Sequence, residues 1–586
     1  MTGAHSASAR SRAANRLLVR VGRRGGPWVP VLAVNALLVG AVEIALPAVL
    51  GRAIDGILEL DGPGIWLVWL ALLVAALVLG DLVEDVGISA ATARSTAWLR
   101  HTSLRHILSV RLRSAERFPP GDLATRLVAN TTEAGSVGPD VVGGVAALVP
   151  AIGATVALFL IDPWLGVTFA AGAPVLLFLL WAFAKDASEL IERYLDTQGV
   201  IAGRLGRALS GARTIAAAGT TARETRRVLA PLPDLHRHGK GMWHAQTRIT
   251  TQDLLLLSLL EVAVLAVAGL QLSRGLISAG DLLAASAYVA LAATVSSAIS
   301  TVTELVRNRA SVARVGDLLS LQPVDYGNTG LPAAGGRMEF RDVTVSAGGR
   351  LLLDRVSLVV PARALVAVVG RSGSGKSLFA RLAGRLVDPD DGEVLLDGVG
   401  LRQLDRRTLR SAVGYGFERP ALIGDTLAAA ISFGTVVPLD DEVSVAARAA
   451  HADDFIRRMP NGYQTLLADA PMSGGEVQRV GLARTFAHAS RVLVLDDVAA
   501  SLDTVTEHEI SRALTGAMSD RTRVLVAHRA STAARADAVI WLDAGRLRAY
   551  GPHHELWLDP EYRALFDPLA AGGGAAPALA GARGGP

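Results

Sequence analysis

Residues 370–377 read Gly-Arg-Ser-Gly-Ser-Gly-Lys-Ser. An apolar, β-branched run, Ala364 to Val369, precedes this stretch and a helix-compatible run, Leu378 to Leu386, follows it, so it lies where a strand turns into a helix. The three glycines let the backbone curl so that successive N–H groups point at phosphate oxygens, and the following helix adds the positive end of its dipole. The pattern predicts a phosphate-binding loop within an α/β domain.

The polar positions of this loop have distinct predicted tasks. Lys376 would reach the β- and γ-phosphates of a nucleotide, and the Ser377 hydroxyl would ligate Mg²⁺. The residues predicted to hold the phosphates are Gly370, Ser372, Gly373, Ser374, Gly375, Lys376 and Ser377.

The composition points to a membrane protein. Of 586 residues, 51% are hydrophobic, whereas soluble domains reach roughly 45 to 50% only with glycine included. The chain has no cysteine, which excludes disulfides, thiolate zinc sites and a cysteine-protease domain. A net charge of +4 is small for this length, so no nucleic-acid partner is indicated.

Six apolar segments approach or reach the roughly 20 residues needed to cross a bilayer. These predicted spans are Trp28 to Leu50, Ile65 to Asp85, Val141 to Leu160, Trp164 to Ala184, Asp253 to Leu272 and Leu282 to Leu305. The long connections Val86 to Asp140 and Lys185 to Gln252 are rich in arginine and helix-forming residues, whereas the other loops are short and nearly free of basic residues. By the positive-inside rule, both termini and these long helical connections are cytoplasmic, and the protein is a multi-pass protein of the plasma membrane.

The predicted organisation is therefore multi-domain, with an α-helical polytopic membrane domain followed by an α/β P-loop nucleotide-binding domain. A linker rich in proline and glycine separates the two, and an Ala/Gly/Pro-rich tail is predicted to be disordered. The predicted boundaries are 1–25 for an N-terminal cytoplasmic segment, 26–320 for the membrane domain, 321–336 for the linker, 337–569 for the nucleotide-binding domain and 570–586 for the tail.

Two acidic residues, Glu43 and Glu261, lie well inside the first and fifth predicted spans. A carboxylate in hydrocarbon costs about 2.5 to 3.5 kcal/mol on insertion scales. Both residues are therefore candidates for a substrate cavity that favours a cation. The alternative is that they pair with protein groups for structural reasons.

Five further motifs follow the phosphate-binding loop in a fixed order. They are Val413–Glu418 (Val-Gly-Tyr-Gly-Phe-Glu), Met472–Glu476 (Met-Ser-Gly-Gly-Glu), Val492–Asp497 (Val-Leu-Val-Leu-Asp-Asp), Ser501–Asp503 (Ser-Leu-Asp) and Val526–Arg529 (Val-Ala-His-Arg). Together with the phosphate-binding loop they resemble an ATP-binding cassette. With six preceding spans, the chain from about residue 20 to residue 566 resembles a half-transporter of the ABC exporter family.

The resemblance implies roles for the residues around the loop. Asp496, at the carboxyl end of a buried strand, would hold Mg²⁺ opposite Ser377. Asp497 stands where the family has the glutamate that polarises the attacking water. His528 would contact the γ-phosphate of ATP. Glu418 occupies the place of a glutamine that senses Mg²⁺ and the membrane domain, so it is a candidate for both catalysis and metal binding.

A second anion site is predicted at the Ser-Gly-Gly signature, because its N–H groups begin a helix. In the family, two cassettes pair head to tail, and each signature closes over the γ-phosphate held by the partner's loop. The resemblance thus implies a dimer in which nucleotide is also bound by Ser473, Gly474, Gly475, Glu476 and Asp503.

The departures from the family pattern fall mainly on one side of the cassette. Asp497 is one methylene shorter than the usual glutamate, Glu418 adds a charge, and Ala347 stands where an aromatic residue would stack on adenine. The approach to the signature, Thr465 to Met472, is also shorter than usual, whereas the signature itself is nearly regular. The prediction is an exporter subunit that pairs with a different half-transporter and whose own ATP site is slow or degenerate.

Two alternatives stay open from the sequence. The chain could be a homodimeric exporter with slow hydrolysis, or an ATP-binding regulatory or scaffold subunit of a transport complex. The cargo is a small molecule, a peptide or a lipid, because such folds handle all three and the fold alone does not choose among them.

Overall fold

The computed structural model describes residues 15–58, 64–292, 297–333, 335–434, 438–498 and 504–566. The chain divides into two compact units. The first comprises Met1–Leu108 and Phe118–Leu321, and the second comprises Ser109–Arg117 and Gln322–Pro586. The short segment Ser109–Arg117, which the sequence placed within the membrane domain, thus packs with the second unit: the backbone N–H of Val324 donates to the carbonyl of Ser109 over 2.8 Å.

The described part of the first unit is helical. Its helices are α1 (residues 15–23), α2 (Trp28–Leu58), α3 (Gly64–Ile107), α5 (Pro120–Thr125), α6 (Thr131–Gly135), α7 (Val137–Ala146), α8 (Leu148–Ile161), α9 (Pro163–Ser210), α10 (Ala212–Ala217), α11 (Thr221–Leu229), α12 (Leu232–Ser273), α13 (Ala279–Ala292) and α14 (Ser297–Leu319). A π-helical turn lies at Arg126–Asn130. Helix α4 (Leu112–Ala115) belongs to the second unit. Long helices run into both predicted connections, since α3 extends to Ile107, α9 extends to Ser210 and α12 begins at Leu232.

Within the described residues, four helical stretches are long and apolar enough to cross a membrane: Trp28–Leu58, Gly64–Ile107, Pro120–Ile161 and Leu254–Ser273. The fourth predicted span lies within α9. The sixth extends over α13, a shorter apolar helix, and α14, with residues 293–296 outside the described part. The number of six spans stays a prediction.

Local chemistry sets where these helices begin and how closely they pack. Pro163 is the first residue of α9, and the Asp162 side chain caps the helix by accepting from the N–H of Trp164 over 2.8 Å. Between α2 and α13, a Cβ built on Gly51 would stand 2.6 Å from the carbonyl oxygen of Gly280. These two helices therefore approach through small residues, as membrane helices commonly do.

The second unit is an α/β domain, and its described residues form two sheets. Its strands are β1 (Met338–Ala347), β2 (Arg350–Val360), β3 (Leu365–Val369), β4 (Asp391–Leu396), β5 (Val399–Gly400), β6 (Val413–Gly416), β7 (Val492–Leu495), β8 (Thr522–Val526), β9 (Ala538–Asp543) and β10 (Arg546–Gly551). Its further helices are α15 (Lys376–Ala383), α16 (Arg406–Ala412), α17 (Leu427–Ile431), α18 (Asp440–Ala449), α19 (Asp453–Arg458), α20 (Gly474–His488), α21 (Thr504–Thr515), α22 (Ala530–Ala533), α23 (His553–Leu556) and α24 (Pro560–Arg563), with a 3₁₀ turn at Gly462–Gln464.

The six-stranded sheet positions the predicted site. Its order is β10-β9-β3-β8-β7-β6, and every neighbouring pair from β9 to β6 is parallel. Strands β3, β7 and β8 are buried along their whole length, as expected for parallel strands covered on both faces. Because parallel strands end at one edge, the phosphate-binding loop after β3, the two aspartates after β7 and His528 after β8 are brought to the same edge of the sheet.

Candidate nucleotide site

The phosphate-binding loop forms the predicted strand-to-helix turn between β3 and α15. Gly370, Gly373 and Gly375 have φ values of 152°, 80° and 102°, which L-residues rarely adopt. A Cβ on Gly370 would stand 2.1 Å from the carbonyl oxygen of Leu542. The loop therefore needs glycine for close packing as well as for backbone freedom.

Lys376 is buried, and its ammonium group lies across the loop. Nζ donates to the carbonyl oxygens of Gly370 and Arg371 over 2.8 and 3.0 Å. Burial lowers the pKa of Lys376, and the nearby carboxylates of Asp497 and Asp496 act in the opposite direction. A desolvated ammonium at this position is prepared to exchange carbonyl partners for the charged oxygens of a phosphate.

Asp496 is oriented by a tyrosine on the neighbouring strand. The Tyr415 hydroxyl donates to Oδ2 of Asp496 over 2.9 Å, and the carboxylate is only 9% exposed. Burial, followed by the charge and hydrogen bond of Asp496, raises the pKa of Tyr415 far above its ordinary value, so the phenol stays a donor. Tyr415 is a residue that the sequence reading missed. No local signal could have identified it, since Tyr415 meets Asp496 only through the parallel pairing of β6 with β7.

The residues at this edge fit a divalent cation. Oδ1 of Asp496 and Oγ of Ser374 are buried and have no hydrogen-bond partner among the described residues. Ser377 is the second residue of α15 and is exposed. The described residues contain no cluster of three or more acidic or histidine side chains that could hold a metal. A bound Mg²⁺ would therefore draw most of its ligands from phosphate oxygens and water, as is usual for this ion.

Asp497 and His528 meet at the same edge. Oδ2 of Asp497 lies 3.5 Å from Nε2 of His528, and the histidine side chain is half exposed. Asp497 has a φ of 52°, in the left-handed region that aspartate tolerates better than most residues. Burial raises the pKa of Asp497; Glu418 and Asp496 add to this, while His528 and Lys376 oppose it.

Glu418 is less firmly held than the aspartates. Its carboxylate is about half exposed and lies 3.7 Å from the guanidinium of Arg419. Its backbone carbonyl accepts from the side chain of Gln478 on α20 over 3.1 Å. Because Glu418 is an electrostatic neighbour of Asp497, the structure places it close enough to alter the charge of the site.

The predicted adenine side of the site is a glycine hairpin without an aromatic residue. Ala347 pairs with Arg350 across Gly348 and Gly349, which have φ values of 57° and 78°. Further along β2, the carbonyl oxygen of Leu352 lies 3.3 Å from a Cβ built on Gly375 of the loop. Three residues of strand, at about 3.3 Å each, separate this contact from the hairpin by roughly 10 Å, within the length of a nucleotide.

The signature begins α20 with a complete capping box. Oγ of Ser473 accepts from the N–H of Glu476 over 3.3 Å, and the Glu476 carboxylate accepts from the N–H of Ser473 over 2.8 Å. The N–H of Ser473 holds the pKa of Glu476 below its usual value. Among the hydrogen bonds of the described residues, none joins Ser473–Glu476 to Gly370–Ser377. The signature and the phosphate-binding loop are thus separate half-sites in one chain.

The remaining predicted site residues lie elsewhere. Asp503 lies outside the described residues. Glu261 on α12 accepts from the hydroxyl of Ser286 on α13 over 3.2 Å. Glu43 on α2 is partly buried and has Asp81 and Glu84 of α3 as electrostatic neighbours. The two glutamates therefore have different surroundings, one a hydroxyl and the other carboxylates.

Two families of known proteins match this chain. The family described as ABC transporter transmembrane region matches residues 30–295, and the family described as ABC transporter matches residues 353–500. The two matches cover the helical unit and the phosphate-binding domain in turn.

Individual relatives match over most of the chain. The chain is 45% identical over 550 residues to the ABC transporter ATP-binding protein RamA of Streptomyces coelicolor, covering 93% of this chain and 86% of that protein. It is 28% identical over 515 residues to the ATP-dependent lipid A-core flippase of Escherichia coli, covering 86% and 88% of the two chains. A multidrug efflux ATP-binding/permease protein of Mycobacterium tuberculosis is 32% identical over 423 residues, 69% of this chain and 35% of that protein.

A solved structure has the same fold. A bacterial Atm1-family ABC exporter with ATP bound superimposes with a TM-score of 0.77 and 25% sequence identity, over 93% of this chain and 99% of the other.

Proposed function

This chain belongs to the ABC transporter family as an exporter half-transporter, and we propose that it pairs with a different half-transporter and contributes a slow ATP site to the heterodimer. The family assignment makes it an ATPase coupled to transport, with membrane-spanning helices and a cytoplasmic nucleotide-binding domain. The proposal concerns the partner, the speed of the site and the cargo.

One observation carries the proposal: Asp497 stands where a longer carboxylate is expected. Shortening a general base by one methylene moves its oxygens by more than 1 Å. A misplacement of about 1 Å can cost on the order of a hundredfold in rate. A site with intact phosphate binding and a retracted base would bind ATP normally but would hydrolyse it slowly.

Other features of the same half-site support slow turnover. The Ala347 hairpin offers no ring for base stacking, which is worth roughly 1 to 3 kcal/mol per base in nucleic-acid systems. Glu418 stands where a neutral glutamine is expected, so it places an added negative charge near Asp497, and this charge opposes binding of an anionic nucleotide.

The residues of this chain would have separate roles in binding ATP and Mg²⁺. Lys376 would bind the β- and γ-phosphates, and Ser377 and Asp496 would hold Mg²⁺, whose charge offsets that of the phosphates. Tyr415 orients Asp496, and His528 would contact the γ-phosphate. The capped N-terminus of α20, Ser473 to Glu476, would close over nucleotide held by the partner subunit and so serve the faster site.

For the cargo we propose a small molecule, peptide or lipid carrying a cationic group. Glu43 lies near two further carboxylates of α3, which would favour a positive charge within the membrane. Glu261 could contribute after exchanging its Ser286 hydroxyl for a substrate group. The names of the relatives span lipid A flippases and multidrug efflux proteins, so they are compatible with more than one cargo.

Purification of the full chain without a partner tests this proposal. We expect ATP turnover at least tenfold below about 1 s⁻¹, the low end of ordinary enzyme turnover, and little stable dimer. A dimer of this chain alone that turns over at about 1 s⁻¹ or faster, with loss of that activity on Asp497→Asn, would contradict it.

A homodimer with slow hydrolysis is the second candidate, and the contact between Asp497 and His528 favours it. A carboxylate within 3.5 Å of the histidine remains a base. Stable dimers of the chain with slow turnover that Asp497→Asn reduces further would support this second candidate.

A further inference from the structure

The turn that carries His528 is loosely packed around the imidazole ring. The chain leaves β8 at Val526, and the N–H of Ala527 still donates to the carbonyl oxygen of Val368 over 3.0 Å. Beyond that bond, the His528 side chain is half exposed and borders a cavity of about 160 Å³. Among the described residues, the carboxylate paired with its imidazole is that of Asp497, at 3.5 Å. The direction of the ring therefore depends on the backbone of the turn.

Glu507 on α21 holds the far end of this turn with both of its carboxylate oxygens. Oε2 pairs with the guanidinium of Arg529, the residue directly after His528. Oε1 accepts from the hydroxyl of Thr532 on α22 over 3.1 Å. The carboxylate is only 13% exposed, whereas the Arg529 side chain is half exposed. Partial burial strengthens hydrogen bonds to a charged group, so Glu507 is a firm anchor for the turn.

The short helix α22 begins at the residue that Glu507 binds. Arg529 is its N-cap residue, and the Arg529 side chain makes no capping hydrogen bond. The N–H groups of Thr532 and Ala533 donate to the Arg529 carbonyl oxygen over 3.2 and 3.1 Å. Because the helix and the side chain of its N-cap residue are both tied to α21, Glu507 fixes the path of the chain on the helix side of His528.

The chemistry of this anchor requires a carboxylate. Two donors, a guanidinium and a hydroxyl, converge on one side chain, and only a carboxylate can accept with both terminal oxygens. A glutamine would turn an NH₂ group towards one of the two donors. The next acid along α21, Glu509, has a different partner, since it lies 3.2 Å from Nδ1 of His451.

We propose that Glu507 is a positioning residue for His528: it holds the turn between Arg529 and Thr532 so that the imidazole faces the γ-phosphate of bound ATP. The proposal rests on the γ-phosphate contact proposed above for His528 and adds the group that orients it. Because ADP has no γ-phosphate, loss of Glu507 weakens binding of ATP more than binding of ADP. A residue that only stabilised the domain would weaken the binding of both nucleotides alike.

A double-mutant cycle between Glu507→Gln and His528→Ala tests this in the full chain. Calorimetric titration with Mg²⁺ gives the affinities for ADP and for an ATP analogue that keeps the γ-phosphate and resists hydrolysis, and their ratio is the readout. We expect Glu507→Gln alone to lower the preference for the ATP analogue about threefold or more. In the His528→Ala background, Glu507→Gln should cause no further loss of preference.

Glu509→Gln is the matched control, because it removes the same charge from the same helix at a residue that pairs with His451 instead. It should leave the preference for the ATP analogue unchanged. Thr532→Val removes one of the two bonds of Glu507 and should give a smaller loss in the same direction. This second variant keeps the test decisive if Glu507→Gln fails to fold.

An unchanged preference in both Glu507→Gln and Thr532→Val would overturn the proposal, and so would a loss that persists at full size in the His528→Ala background. An unchanged preference in His528→Ala itself would reject the γ-phosphate contact of His528, and the positioning role with it. A loss in His528→Ala without one in the Glu507 and Thr532 variants would keep the contact and reject only the role of Glu507.

Discussion

The two nucleotide-contacting half-sites of this cassette differ in how closely each follows its family pattern. At the sheet edge, the phosphate-binding loop is intact, but Asp497, Glu418 and Ala347 replace residues expected to activate water, sense the metal and stack on the base. At the start of α20, Ser473 and Glu476 form a complete capping box. In an exporter dimer the two half-sites of one chain serve different ATP molecules. One chain can therefore keep a competent signature while its own loop becomes a place where ATP stays bound.

The largest expected change comes from restoring a ring at the adenine side. Ala347→Tyr adds an aromatic face to an exposed hairpin, and stacking worth roughly 1 to 3 kcal/mol predicts about 5- to 150-fold tighter ATP binding. Calorimetric titration of the full chain measures this directly. Inorganic triphosphate, which has no base, is the control ligand, and its affinity should not change. Equal tightening of both ligands would show that the hairpin does not face the base.

A smaller change is expected from removing the hydroxyl that orients Asp496. Tyr415→Phe keeps the ring, but it deprives a buried carboxylate of its donor, so the carboxylate loses its fixed orientation. We expect the Mg²⁺ concentration needed for half-maximal ATP binding to rise about threefold to tenfold, at or below the lower end of the roughly 10- to 100-fold effects of partners that orient metal ligands.

Tyr463→Phe is the control for Tyr415→Phe. Tyr463 also donates to an aspartate, Oδ1 of Asp453 over 2.6 Å, but Asp453 starts α19 and Tyr463 lies in a 3₁₀ turn, so neither residue is at the carboxyl ends of the parallel strands. An equal shift in Mg²⁺ dependence from both variants would assign the Tyr415 effect to general loosening of the domain.

The smallest expected change lies at the regular half-site. Ser473→Ala removes an N-cap, which typically costs about 1 kcal/mol, so thermal unfolding of the domain should begin a few degrees lower. ATP binding at the chain's own loop should be unchanged, because no described hydrogen bond joins the two half-sites. Weaker ATP binding by the Ser473→Ala variant would contradict the independence of the two half-sites.

Glu476 adds a pH dependence to the same cap. Its pKa is lowered in the folded state from an ordinary 4.5, so its stabilisation is present above that value and is lost as the pH falls through the lowered pKa. Between pH 6 and pH 3 the melting temperature of the wild-type chain should fall in part because Glu476 becomes protonated. The Glu476→Gln variant should lack this part of the fall. An unchanged pH profile would contradict the role of the carboxylate in the cap.

Much of the α/β fold was predictable because its signals are local. The glycines of the loop, the apolar runs before it and before Asp496, and the Ser-x-x-Glu start of α20 each fix a turn or a strand within a few residues. Parallel strands then bring their carboxyl ends together. The family resemblance assigned Lys376, Asp496, Asp497 and His528 to one nucleotide site, and the parallel strands of the structure bring these residues to one edge of the sheet.

What the sequence did not give depends on contacts between distant segments. Tyr415 and Asp496 are 81 residues apart, and only the pairing of β6 with β7 brings them together. Ser109–Arg117 packs with the second unit although helices of the first unit flank it in sequence. The left-handed φ of Asp497 likewise follows from tertiary packing, which no local pattern encodes.

The central claim is that the chain's own site binds ATP but hydrolyses it slowly because Asp497 is too short. Single-turnover hydrolysis of bound ATP by the full chain, compared between wild type and Asp497→Glu at equal ATP occupancy and at a concentration where both are dimeric, tests this directly. The account predicts that the longer carboxylate raises the rate by about 10- to 100-fold. An unchanged or lower rate in Asp497→Glu would show that the length of this side chain does not limit hydrolysis.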